Sequence, residues 1–115
     1  MIGRIDPKHI NNNGYLYVMG DSIISESILR FFDNSNFDNN CIKTEAFYLS
    51  KGNWDLKNSD HNSFLVNNIP AVELTSGIHS DYHKPSDTYD KISYNILKER
   101  VKLIYKIICD IINAS

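Results

Sequence analysis

Between Gly77 and Asp87 the chain reads GIHSDYHKPSD, placing two histidines, two aspartates and a tyrosine close together. Imidazole is largely unprotonated near neutral pH and offers a lone pair to zinc, while a neighbouring carboxylate can hold its second nitrogen. His83 with Asp81 or Asp87 would form such a pair. A zinc site built from this chain alone is short of ligands, because neither His-Glu-x-x-His nor Cys-x-x-Cys spacing occurs in the sequence. On composition alone the signal is weak, because a polar loop with two histidines is more often solvent-exposed and inert. His79 reads as an ordinary loop residue, and so does His9.

The elements around this loop follow from periodicity and turn chemistry. Ile69-Pro70-Ala71-Val72-Glu73-Leu74 reads as a central strand with Pro70 near its start, where a missing N–H does least harm. The loop then leaves the C-terminal end of that strand, which is where open α/β sheets bind ligands. Upstream, Asn11-Asn12-Asn13-Gly14 is a turn, Tyr15–Met19 is a strand closed by Gly20, and Asp21 or Ser22 caps a helix carrying Ile24, Ile28, Phe31 and Phe32. Residues 34–40 form a loop and Ile42–Leu49 a second strand. The polar stretch 50–59 has the composition of a binding loop, and Ser59-Asp60 offers a cap for a short helix through Phe64 and Leu65. After Thr88 comes one long helix whose apolar residues Leu97, Val101, Ile104, Ile108 and Ile111 step by four and three, with Ile107 and Ile112 widening the stripe.

Strands alternating with helices predict an α/β sandwich. The few visible strands make a thin sheet for so long and apolar a final helix, which suggests one portion of a larger domain. A chain of 115 residues with 42% hydrophobic content can bury a core. With a formal net charge of -2 and no run of Lys or Arg, it offers little to phosphates, so nucleic acid is a poor partner. No stretch approaches the roughly 20 apolar residues of a membrane span, and Met1–Asp6 lacks the regions of a signal peptide. Cys41 and Cys109 are too few for a disulfide framework and read as buried thiols.

The order of several motifs goes further. SDHNSFLVNNIPAVELTSGIHSDYHKPSDTYDKI, residues 59–92, resembles the C-terminal signature of the co-catalytic zinc exopeptidases, the family of aminopeptidase Y and glutamate carboxypeptidase. In that family an SDH-x-x-F helix leads to a G-I-P-A strand, then to a loop ending Y-H-x-x-x-D-T and a long closing helix. Met1-Ile2-Gly3-Arg4 is similar to the strand that follows a metal-binding aspartate. Asn68 stands where glycine is usual, a mild departure because Asn tolerates the left-handed backbone, and Glu73 occupies a commonly apolar strand position.

The resemblance implies a three-layer α/β sandwich of the zinc aminopeptidase type, with residues 1–115 as the C-terminal part of its mixed sheet and catalytic domain. It implies a metallo-aminopeptidase that releases N-terminal residues from peptides with two zinc ions. His83 matches a metal ligand, and Tyr82 the catalytic tyrosine whose hydroxyl stabilises the oxyanion. Asp60 and His61 match residues near the metals or facing substrate, against a plain role in capping and packing. Asp87 matches a partner of His83 or of the loop backbone, against a cap of the last helix. The family's other ligands and its glutamate base lie before MIGR, so the expected partners are a peptide substrate and a missing N-terminal half, and this chain alone should be inactive. A non-catalytic binding relative and a glutaminyl cyclase-like enzyme are the competing expectations. Tyr82 favours hydrolysis over cyclization, whose enzymes usually place Trp there. Members of the family are often exported, and the compartment of this chain stays open.

Overall fold

A computed structural model describes residues 1–33, 42–49 and 59–114. The loop expected at 34–40, positions 50–58 of the one expected at 50–59, and Cys41 lie outside the described residues. Among the described residues, three strands, β1 (Tyr15–Asp21), β2 (Lys43–Leu49) and β3 (Val72–Thr75), form one mixed sheet in the order β2-β1-β3. β1 runs parallel to β2, from Tyr15 opposite Lys43 to Asp21 opposite Leu49, and antiparallel to β3, with Tyr17 opposite Thr75. The predicted α/β class holds, and β3 starts later than expected.

Alternation along β1 sorts its side chains between two different surroundings. Leu16 and Val18 enter the main core with Leu29 and Phe32 of helix α1 (Glu26–Asp33), Ile42, and Leu103 and Ile107 of the final helix. Met19 packs with Leu65 of the single-turn helix α2 (Asn62–Leu65), while Tyr15 and Tyr17 contact His9. Asp21 does not cap α1 directly. Its Oδ1 accepts from the Ile23 and Ile24 amides at 2.9 and 2.8 Å, which closes a turn, and α1 begins only at Glu26. Nor do Ser59 or Asp60 provide a side-chain cap for α2. His61 precedes that helix without a side-chain cap bond, and Asp60 is exposed.

The final helix, α3 (Tyr94–Asn113), is as long as predicted but turned about its axis. Its buried residues are Arg100, Leu103 and Ile107, with Ile96, Ile104 and Ile111 alongside, whereas Val101, Ile108 and Ile112 are 50%, 49% and 66% exposed. Arg100 causes the rotation. Fully buried, it donates to the carbonyls of Tyr15 at 2.8 Å, Ile2 at 2.7 Å and Arg4 at 2.8 Å, with Asn13 at 3.5 Å, and its guanidinium lies over the Tyr15 ring. Cys109 on the same helix is half-buried rather than buried.

Arg100 also accounts for a second departure. Met1–Arg4, expected as a strand, is irregular. The Ile2 and Arg4 carbonyls turn to Arg100, while those of Met1 and Gly3 accept from the Ser76 amide at 2.8 Å and the Ser93 amide at 2.9 Å. The segment is thereby laid between the end of β3 and the start of α3.

Candidate active-site loop

The loop leaves β3 through Ser76, buried and tied to Met1 by its amide and to the Tyr15 hydroxyl by its carbonyl, 2.7 Å away. Gly77 follows with φ +83°, in the left-handed region that glycine enters freely. A Cβ there would lie 2.7 Å from Asp6 Oδ2 and 3.0 Å from the Tyr17 ring, so the close approach of the two segments also requires glycine.

Beyond Gly77 the chain winds through a series of turns, with backbone bonds from Tyr82 to His79, Lys84 to Asp81 and Asp87 to Lys84. His83 takes φ 55°, uncommon outside glycine although His is among the residues enriched there. The consequence is an exposed imidazole stacked on the half-buried Tyr82, ring centroids 4.1 Å apart and planes 9° from parallel. Tyr82 in turn meets His79 edge-on, at 6.1 Å and 80°.

The two aspartates serve a different residue from the one expected. Arg4 donates through Nη2 to Asp81 Oδ2 at 2.8 Å and through Nη1 to Asp87 Oδ1. Lys91 and Ser86 add bonds of 2.9 and 2.8 Å to the other Asp81 oxygen. The Arg4 bond, followed by those of Lys91 and Ser86, holds the Asp81 carboxyl well below the usual carboxylate range. Neither aspartate has a hydrogen bond to His83 among the described residues, so the expected pairing of His83 with Asp81 or Asp87 does not occur. Arg4 is the reason, since a guanidinium fork binds carboxylates with strong, directed, charge-assisted bonds.

His61 and His79 are both buried. His61 Nδ1 lies 2.8 Å from Ser59 Oγ and 3.6 Å from Glu73 Oε2, which gives the unusual strand glutamate a partner, while its Nε2 is buried with no hydrogen bond among the described residues. Both nitrogens of His79 are likewise without a bond. Asp60, another member of the SDH motif, is exposed, and its carbonyl accepts from the Ser63 amide.

Sequence reasoning missed Arg4, Arg100 and the burial of His79. A basic residue in an apolar helical stripe was the one available signal for Arg100.

The sequence model of peptidase family M28 matches residues 6–108. The chain belongs to peptidase family M28. That family is one of metallopeptidases, generally zinc-dependent hydrolases of peptide bonds. No curated protein and no solved structure matches the chain. Among the described residues, no three His, Cys, Asp or Glu side chains come together to hold a metal ion. These residues therefore do not make the zinc site of an M28 peptidase by themselves, and His83 offers a single imidazole. No helix among them is long and apolar enough to cross a membrane.

Proposed function

We propose that this M28 chain contributes Tyr82 and His83 to the two-zinc centre of an aminopeptidase that releases N-terminal residues from peptides. The observation that carries the reading is the backbone at His83, whose positive φ holds the imidazole exposed on the Tyr82 ring. Its ring has no hydrogen bond among the described residues, and a metal ligand needs that free lone pair. Tyr82 would donate its hydroxyl proton in a hydrogen bond to the oxygen on which charge develops as water adds to the scissile carbonyl. His61, buried with one nitrogen unpaired, is a candidate to face substrate or support a metal ligand, whereas Asp60, exposed, has less to support such a role.

The remaining ligands and the carboxylate base come, in this reading, from an N-terminal half of the same catalytic domain, with peptide as the substrate. Joined to it, the sheet would extend beyond β3, which has one strand neighbour among the described residues, towards a three-layer sandwich.

The test uses the zinc-loaded enzyme assembled with that half. His83→Ala should abolish release of N-terminal residues, and Tyr82→Phe should lower kcat roughly 10²-fold with little change in KM, because the lost bond forms mainly in the transition state. Full activity of His83→Ala, or undiminished hydrolysis with a chelator present, defeats the reading.

A further inference from the structure

His79 is the least accommodated side chain among the described residues. Its side chain is 4% exposed and neither ring nitrogen is hydrogen-bonded, a costly arrangement for a group that is always a donor on at least one nitrogen. The Asp87 carboxylate is close by, its Oδ2 3.6 Å from His79 Nε2, too far for a hydrogen bond and too close for an intervening water. Arg4 already holds the other oxygen of that carboxylate, so Asp87 is fixed on one side and its second oxygen faces the imidazole. His79 also meets Tyr82 edge-on, within the range where aromatic rings attract, and Tyr82 is stacked on His83. A line of contacts thus runs from Arg4 through Asp87, His79 and Tyr82 to His83.

We propose that His79 is a positioning residue: its Nε2–H closes onto Asp87 Oδ2 as the loop tightens, and the ring, so fixed, sets the place of Tyr82 and of the imidazole stacked on it. A contraction of less than an ångström separates the observed spacing from a hydrogen bond. An acceptor anchored by a guanidinium is a firm stop for that movement, and placement on this scale matters because small misplacements of a catalytic group cost rate steeply. The kinetic part of the proposal rests on the assignment of Tyr82 and His83 made above. The hydrogen bond does not.

Two readouts separate the two. In the ¹⁵N-labelled chain, long-range proton–nitrogen correlation should show His79 as a single Nε2–H tautomer, with its Nε2 resonance moving in Asp87→Asn and the Tyr82 ring resonances moving in His79→Phe. Averaged tautomers in the unmodified chain, or a His79 signal indifferent to Asp87→Asn, overturn the proposal. In the assembled zinc peptidase, His79→Phe should lower kcat about tenfold with KM within about twofold, and His79→Gln, which restores a donor, should recover most of the loss. Equal loss in both variants, or a change in melting temperature alone, also overturns it. An unmodified enzyme without zinc-dependent activity would instead count against the function proposed above, and the ring signals would still decide the hydrogen bond.

Discussion

Two regions of this chain bury histidine or arginine beside aromatic rings, and they treat those polar groups in opposite ways. Around Tyr15 the bonding is complete: Arg100 reaches four carbonyls, Asp6 accepts from Tyr17 and from the His9 amide, and His9 lies between Asp6 at 2.8 Å and Glu45 at 3.0 Å. In the loop from Gly77 to Asp87, His79 is buried without a bond and His83 is exposed in a left-handed backbone. The closed cluster has the character of a scaffold. The loop carries unspent bonding capacity, as expected of a surface that completes itself on metal, substrate or a second segment.

The largest effect should come from breaking the scaffold. Arg100→Met keeps an unbranched side chain in the core and spares the cost of burying a charge, but it orphans the carbonyls of Tyr15, Ile2 and Arg4. Unsatisfied buried groups cost about 1–3 kcal/mol each, so the loss should win, at about 3 kcal/mol in urea unfolding. Stability equal to the unmodified chain would mean that those carbonyls reach water and that the contrast is overdrawn.

Gly77→Ala tests the junction of the two regions. The left-handed backbone and the 2.7 Å approach to Asp6 together should cost about 2 kcal/mol, read by the same unfolding experiment. A neutral substitution would show that the loop can move away from Asp6 without loss.

His9 gives the smallest effect and the one that depends on pH. Burial opposes its charged form, but the bonds with Asp6 and Glu45 outweigh burial and raise its pKa above the ordinary value. Contacts with a carboxylate at each ring nitrogen call for two donors, hence for the imidazolium. A raised pKa in the folded state means stabilisation fully present below the unfolded value, about pH 6.5, and lost as pH rises through the folded value. His9→Gln should therefore cost up to about 1 kcal/mol at pH 5.5 and less at pH 9, in melts at both pH values. A gap that widens with pH would contradict the imidazolium.

The elements were legible in the sequence where hydrophobic period and turn residues agreed. Tyr15-Leu16-Tyr17-Val18 announced β1, Asn68 does take the positive φ that its place before Ile69-Pro70 suggested, and the four-and-three spacing announced α3. What escaped was set by distant partners. A pattern that separates apolar from polar positions counts Arg100 as exposed and so turns α3 part of the way from its true face, keeping Ile104, Ile107 and Ile111 but adding Val101, Ile108 and Ile112. Asp81 and Asp87 look like partners for the histidine beside them until Arg4, 77 and 83 positions away, takes both. In the same way, composition made His9 and His79 look alike, whereas one is bonded at both nitrogens and the other at neither. The adjacency of Tyr82 and His83 was legible; their stacking depends on a backbone angle that no residue type dictates.

The reach of Arg100 also sets an order in time. Its bonds to the Tyr15, Asn13, Arg4 and Ile2 carbonyls span 85 to 98 positions, among the longest separations in the fold. Contacts so remote must meet the entropy of closing the intervening chain before they give anything back. On a ribosome adding about 5–20 residues per second, Ile2 is made some 5–20 seconds before the side chain that fastens it. For most of that interval Asp81 and Asp87, 83 positions or fewer beyond Arg4, are not yet made either, so the carboxylate pairs of Arg4 also form late. Both fastenings of the N-terminal segment are therefore late, and its final placement waits for the docking of α3.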